Sequence, residues 1–206
     1  MLFRSLSAVS PALSISASRF KTDGFSAINP AQQPFANPDA DGYENTSVNL
    51  SLTHRLSKDH NFGLRLTKST GDTEYDNAFG APTDIQTSTT RLSQATLFTD
   101  NTWGNWRSRV SLSEQSDKSR NKDNGFFGSD NSFTTKATVL NWVNTVSLGQ
   151  DWLATAGLEN QHQRVDTTTT SAFGTPYDVS RSTTAVFGGV EGKVGNSAST
   201  RSSTPP

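Results

Sequence analysis

The sequence predicts an all-β fold, an antiparallel up-and-down meander of about seven or eight strands that forms part of a transmembrane β-barrel. Three observations favour this fold. Only 32% of the 206 residues are hydrophobic, which is low for a soluble core but suits a barrel whose inner face lines water. Apolar and polar residues alternate with period two along several segments. The connections between these segments are alternately short and long.

The composition argues against several other classes of protein. The net charge of −1 and the 9% of aromatic residues are unlike a disordered chain. The absence of cysteine excludes a disulfide framework and a thiolate metal site. The 18 basic residues are balanced by 19 acidic ones, so no nucleic-acid partner is expected. No run approaches the ~20 apolar residues of a transmembrane helix, whereas a barrel strand needs only ~9–11 residues.

Alternation along the chain predicts the strands and their two faces. In 62–69, for example, Leu64 and Leu66 alternate with Arg65 and Thr67. The predicted strands are 47–56, 62–69, 106–113, 140–148 and 152–163, with less regular strands near 88–99 and 179–194. The lipid-facing residues should include Leu50, Leu64, Val110, Trp142 and Leu158, and the lumen-facing residues should include Arg65, Arg109, Asn141 and Glu159.

The N-terminal 20 residues allow two interpretations. Arg4, an apolar-leaning run and small residues at 16–18 are similar to a weak signal peptide. Alternation of Leu13, Ile15 and Ala17 with serines instead favours a strand that begins near residue 11. The strand is the preferred interpretation.

Connection lengths indicate which end of the sheet carries the loops. Short turns are predicted at 58–61, 100–105 and 149–151, and long polar connections at 22–46, 70–88, 117–133 and 164–179. Outer-membrane barrels have this asymmetry, with short periplasmic turns and long extracellular loops. An aromatic girdle is predicted beside the short turns, formed by Phe62, Phe98, Trp103, Trp106 and Trp152. A soluble β-sandwich is the alternative, although its strands are usually shorter.

Acidic residues are concentrated in the first two long connections. These hold eight of the 19 acidic residues: Asp23, Asp39, Asp41, Glu44, Asp72, Glu74, Asp76 and Asp84. Calcium takes six to eight oxygen ligands, and carboxylates supply many of them. The spacing alone does not identify an ion site, because a solvated acidic loop explains it better.

Two segments, "KTDGFSAINP…NPDADGYENTSVNLSLTHRLS" and "TGDTEYDNAFGAPTDIQT", carry a family resemblance. They resemble the second and third extracellular loops, with flanking strands, of the TonB-dependent vitamin B12 receptors. The resemblance spans about residues 11–195. Residues 1–10 are an unmatched leader, and 196–206 are an unmatched tail that we expect to be disordered.

The resemblance implies a calcium site and a cobalamin site. The implied calcium ligands are Asp39, Asp41, Tyr75, Asp76 and Asp84, with Asp23 and Asn37 as additional ligands. In the family, calcium orders these loops over the cobalamin site. A barrel-side cobalamin contact is implied around Ser132 and Thr134.

The implied function is active uptake of cobalamin across the bacterial outer membrane. The expected partners are cobalamin, outer-membrane lipid and TonB, the last through a plug domain that this segment of a larger plugged barrel does not include. No nucleophile–base–acid set occurs, so we do not expect an enzyme. Two alternatives remain: a TonB-dependent receptor for another ligand such as an iron-siderophore, and a calcium-binding surface β-protein or adhesin.

Overall fold

The protein forms one antiparallel sheet in which the strands follow one another in chain order. The structure is a computed structural model that describes residues 11–26, 28–29, 31–34, 36–77, 80–126, 128–171, 174–194 and 197–203, and from residue 194 onward it describes the backbone alone. The strands within these residues are β1 (Pro11–Thr22), β2 (Tyr43–Arg55), β3 (His60–Tyr75), β4 (Gln86–Trp103), β5 (Trp106–Asp123), β6 (Ser129–Leu148), β7 (Trp152–Thr169), β8 (Asp178–Val194) and β9 (Ser197–Ser203). The predicted all-β, up-and-down meander is confirmed.

The two chain ends of the sheet differ in how well the sequence predicted them. Pro11–Thr22 pairs with β2 along its whole length, as the strand interpretation of this segment requires. Ser197–Ser203 pairs with β8, although it lies in the tail that was expected to be disordered. This segment is polar on both faces, so it has no alternation by which a strand could be recognised. The domain limits at residues 10 and 195 stay a prediction.

Most strands extend further towards the long connections than the sequence predicted. The connection expected over 117–133 is reduced to 124–128, because β5 and β6 pair as far as Asp123 and Ser129. The connections expected over 70–88 and 164–179 shorten in the same way to 76–85 and 170–177. In these extensions both faces of the strands carry polar residues, so period two disappears while the backbone hydrogen bonds continue. The loops 23–42 and 76–85 lie at the same end, as predicted.

The registers bring apolar side chains into continuous rows on one face. Leu52 lies opposite Leu64, Leu64 opposite Leu97, Leu97 opposite Leu112, and Leu112 opposite Leu140. A second row joins Val110, Trp142, Leu158 and Val186. We call this surface the apolar band; it comprises Leu13, Ile15, Leu50, Leu52, Leu64, Leu66, Leu97, Val110, Leu112, Leu140, Trp142, Leu158 and Val186.

No described part of the chain covers the apolar band. Leu13 is 62% exposed and Leu97 is 54% exposed, and the buried hydrophobic residues in the described ranges are Ala36 and Phe98. The described strands belong to one sheet, so they do not form the two packed layers of a β-sandwich. No helix in the described part of the chain is long and apolar enough to span a membrane.

The opposite face is polar and is centred on Phe98. The guanidinium carbons of Arg65 and Arg109 each lie 4.7 Å from the centroid of this ring, at a distance typical of cation–π contacts. Asn141 donates a hydrogen bond to Glu159 on the same face, with an N···O distance of 3.1 Å. The predicted division of residues between the two faces is therefore confirmed.

Of the five aromatic residues predicted to form the girdle, all but Phe98 lie on the face of the apolar band. Trp103 and Trp106 lie on the face of the apolar band, with ring centroids 4.9 Å apart, and Phe62 and Trp152 share that face by register. Phe98 follows Leu97 directly and so points to the other face, because successive strand residues alternate. The face on which a residue lies was predicted better by its odd or even position along the strand than by its distance from a turn.

Gly63 is predicted to be intolerant of a side chain. A Cβ at Gly63 would lie 2.3 Å from Cζ of Phe98 and 2.9 Å from the carbonyl oxygen of Leu52. Gly63→Ala should lower the free energy of unfolding by about 1–3 kcal/mol through overpacking, as measured by denaturant titration in detergent. Gly188→Ala is the matched control, because its Cβ would approach no atom closer than 3.6 Å. Equal effects of the two substitutions would show that Phe98 does not require Gly63.

Candidate metal centre

Loops 23–42 and 76–85 meet at one end of the sheet. The β2–β3 ladder ends near Tyr43 and Thr73, and the amide of Glu74 donates to the carbonyl of Gly42 at 2.9 Å. Asp41 and Asp76 therefore leave neighbouring strands at almost the same level. The antiparallel pairing brings together carboxylates that are distant in the sequence.

Three carboxylates converge where these loops leave the sheet. Asp39, Asp41 and Asp76 each contribute an oxygen, and these oxygens lie within 4.8 Å of one another. Asp39 is exposed, and the other two are half-buried. Like charges at this distance repel unless a cation or a proton neutralises them. We call these residues the carboxylate triad.

Ser26 links the beginning of the first loop to the triad. Its hydroxyl donates to Oδ2 of Asp76 at 2.7 Å. The hydroxyl oxygen of Ser26 in turn accepts from the amide of Ile28 at 3.1 Å. Ser26 was not among the site residues predicted from the sequence. A serine in a polar loop has no distinguishing pattern, so only the folded loop reveals this contact.

Gly24 allows the first loop to approach Asp41. Its φ is +67°, and a Cβ there would lie only 1.8 Å from the carbonyl oxygen of Asp41. Glycine is the residue that tolerates both conditions. Asp23 next to it is exposed, and its carboxylate is not one of the three that converge.

Asn37 joins the two loops by hydrogen bonds to the backbone. Its Nδ2 donates to the carbonyl oxygen of Asp84 at 3.0 Å, and its Oδ1 accepts from the amide of Asp39 at 3.3 Å. The Asp84 carboxylate accepts from the amide of Ala81 at 2.8 Å. The structure thus places Asn37 and Asp84 beside the triad, with the Asp84 carboxylate used within its own loop.

Tyr75 lies close to Asp123 of β5 at the loop end of the sheet. Partial burial, and secondarily the charge of Asp123, raise the pKa of Tyr75 above its ordinary value. The phenol is therefore protonated at neutral pH and offers a neutral oxygen. Its role as a metal ligand stays a prediction.

The donor set fits a hard cation. The triad and the Ser26 hydroxyl offer only oxygen atoms, and calcium prefers carboxylate, hydroxyl, carbonyl and water oxygens. Asp39, Asp41 and Asp76 would hold such an ion, whose charge would remove their mutual repulsion. The chemistry of these side chains is therefore compatible with the implied cofactor.

Ser132 and Thr134 lie on a face that does not favour their predicted role. Both have the parity of Leu140 and Trp142 in β6, so they share the face of the apolar band. Ser132 forms a hydroxyl–hydroxyl hydrogen bond of 2.9 Å with Thr168. A ligand in the lumen would contact the other face, and the cobalamin contact at these residues stays a prediction.

Comparison with known proteins gives matches only among solved structures. No protein-family model and no curated protein sequence matches the chain. The unliganded ferric citrate transporter FecA aligns with a TM-score of 0.66 and 10% identity, covering 91% of this chain and 32% of FecA. The siderophore receptor PiuA from Acinetobacter baumannii aligns with a TM-score of 0.55 and 12% identity, covering 89% of this chain and 37% of PiuA.

A third solved structure also aligns with the chain. The ferric yersiniabactin uptake receptor FyuA from Yersinia pestis aligns with a TM-score of 0.54 and 13% identity, covering 88% of this chain and 31% of FyuA. The chain has the fold of a receptor β-barrel segment. It spans about a third of the length of these proteins. At this level of identity the likeness shows the fold alone.

Removing one charge from the triad should stabilise the loops when no metal is bound. Asp39→Asn preserves the side-chain shape and removes one repulsive charge. In chelator, amide hydrogen exchange of residues 36–42 should slow by about two- to tenfold. Asp151→Asn, in the short turn at the other end of the sheet, is the control. Unchanged or faster exchange in Asp39→Asn would contradict repulsion within the triad.

Proposed function

We propose that the chain forms part of the β-barrel of a TonB-dependent receptor in the bacterial outer membrane. The observation that carries this proposal is the apolar band, an exposed apolar surface that crosses from β1 to β8 without a protein layer over it. Lipid is the environment that such a surface requires. The fold shared with FecA, PiuA and FyuA supports the same conclusion.

The loops at the triad end of the sheet act in ligand binding, with calcium as their cofactor. A cation held by Asp39, Asp41 and Asp76 joins two loops that otherwise repel each other. Its binding energy becomes loop-ordering energy, as in other proteins where metal binding and folding are coupled. Ordered loops then bind a ligand with a smaller loss of conformational entropy.

Cobalamin is the ligand that we propose for the whole receptor. The proposal depends on the resemblance of both loops to vitamin B12 receptors, and the convergence of Asp39, Asp41 and Asp76 supports it. The chemistry is binding and gating of a large solute, and the complete receptor would draw energy from TonB. Lipid on the outer face and TonB on the periplasmic side are the other partners.

An iron chelate is the second candidate ligand. The three structures with the same fold are described as a ferric citrate transporter, a siderophore receptor and a ferric yersiniabactin uptake receptor. The fold does not discriminate between these ligands and cobalamin. The discriminating feature is the dependence of binding on calcium.

Calcium should control cobalamin affinity through the triad. In the receptor containing this chain, refolded in detergent, we expect cobalamin binding to weaken at least tenfold when millimolar calcium is replaced by chelator. Asp76→Ala should give the same weakening in the presence of calcium, because it removes one ligand and the acceptor of the Ser26 hydroxyl. Equilibrium binding of radiolabelled cobalamin measures both effects.

Controls separate the metal site from the choice of ligand. Asp151→Asn should bind cobalamin as tightly as the unmodified protein in both conditions. Equal cobalamin affinity in chelator and in calcium would contradict the role of the triad. Binding of ferric citrate or a ferric siderophore, with no binding of cobalamin, would instead assign the receptor to the second candidate ligand.

A further inference from the structure

Four basic residues converge above the apolar band on the face that carries it. Arg91 of β4 and Lys118, Arg120 and Lys122 of β5 have the same parity as Leu97 and Leu112. All four are exposed. We call them the basic cluster. Together with Thr87 and Thr89 they line a cavity of about 220 Å³.

The basic cluster contains unfavourable charge pairs. Arg91 lies directly opposite Lys118 in the β4–β5 ladder, and like charges at opposed positions destabilise a sheet. The side chains that line the cavity include no acidic residue among those described. The pairing of β4 with β5 therefore brings cations together, and an external anion bound there would reduce the electrostatic repulsion between them.

Three acidic side chains adjoin the cluster, namely Asp72, Glu74 and Asp130, and they neutralise only part of it. Asp130 accepts two hydrogen bonds from Arg120, one with an Nε–Oδ1 distance of 2.7 Å. Asp72 accepts from the hydroxyl of Thr89 at 2.7 Å. Asp130 binds Arg120 and lies opposite Lys122 in the β5–β6 ladder. Neither Arg91 nor Lys118 has a carboxylate opposite it in the ladders, so this pair carries the excess positive charge.

The depth of the cluster corresponds to the far interface of a membrane. Lys118 follows Trp106, a member of the girdle at the short turns, by twelve residues. Twelve strand residues span about 40 Å, and a tilt of about 45° reduces this to about 28 Å along the membrane normal. The apolar zone of an outer-membrane barrel is about 25 Å tall. Glu114, between Leu112 and the cluster, is the acidic residue of β5 on this face.

We propose that the basic cluster binds the phosphate-bearing headgroup of an anionic glycolipid in the outer leaflet. The guanidinium of Arg91 and the ammonium groups of Lys118 and Lys122 match phosphate in charge and in hydrogen-bond donors. The apolar band directly below would contact the acyl chains of the same lipid. This inference rests on the proposed function, because it requires that the face of the apolar band meets lipid.

Lipid binding can be measured with one double variant and one matched control. Arg91→Gln/Lys118→Gln removes the two opposed cations, and Arg55→Gln/Lys58→Gln removes two cations near a short turn at the other end of the sheet. Each pair of substitutions is made in the receptor that contains this chain, and the receptor is inserted into phosphatidylcholine vesicles with either bisphosphorylated lipid A or its dephosphorylated form. Native mass spectrometry after extraction, together with titration of a fluorescent lipid A, gives the occupancy and the affinity.

The expected result is preferential binding of the phosphorylated lipid. The unmodified protein and the Arg55→Gln/Lys58→Gln control should bind it alike, and Arg91→Gln/Lys118→Gln should bind at least about tenfold more weakly. Equal binding of both lipid forms, or full binding by Arg91→Gln/Lys118→Gln, would overturn the inference while leaving a membrane-inserted barrel intact. Failure of the unmodified protein to insert into any vesicle would overturn the proposed function and this inference together.

Discussion

One constraint underlies the rest of this structure: most large apolar side chains of the strands share one face of a single sheet, and no described part of the chain covers that face. The registers align Leu52, Leu64, Leu97, Leu112 and Leu140 across five strands. In water, so extensive an exposed apolar surface is unfavourable. In a bilayer it becomes the stabilising surface, and the backbone hydrogen bonds of the sheet satisfy the polar groups that lipid cannot. The polar opposite face, with Phe98 between Arg65 and Arg109, is then suited to a hydrated lumen.

The same meander determines what the loops can do. Antiparallel order places loops 23–42 and 76–85 side by side, so acidic residues that are far apart in the sequence meet at the triad. Hydrogen bonds from Ser26 to Asp76 and from Asn37 to Asp84 join the two loops without a metal. Charge repulsion among Asp39, Asp41 and Asp76 opposes that closure. Because these hydrogen bonds and this charge repulsion oppose each other, a bound cation would shift the loops towards the ordered arrangement.

The sequence predicted the strands well where one face of the sheet is apolar, and poorly where both faces are polar. Leu64 and Arg65 were assigned to opposite faces correctly, because period two is strict where one face is apolar and the other polar. The ends of β5 and β6 were missed, since residues near Asp123 and Ser129 are polar on both faces. Phe98 was assigned to the girdle by its nearness to a turn, although its parity with Arg65 and Arg109 across the registers places it opposite.

The carboxylate triad could be predicted from the sequence, whereas the loop residues that position it could not. Asp39, Asp41 and Asp76 could be proposed from residue type and family resemblance, and the structure brings their oxygens together. Ser26 and Gly24 contribute through loop conformation, which a single sequence does not encode in any visible period. The Asp84 carboxylate accepts from the amide of Ala81, and the part of Asp84 and Tyr75 in ion binding stays a prediction.

The orientation of the sheet in the bilayer is the central claim, and neighbouring residues of β5 test it most directly. Leu112→Cys and Ser113→Cys are spin-labelled separately in the protein reconstituted in lipid vesicles. Collision rates with molecular oxygen, which concentrates in lipid, and with a water-soluble nickel complex are then measured. The account predicts that the label at 112 collides mainly with oxygen and the label at 113 mainly with nickel, since adjacent residues face opposite sides. Equal exposure of both labels to nickel, or the reverse pattern, would contradict it.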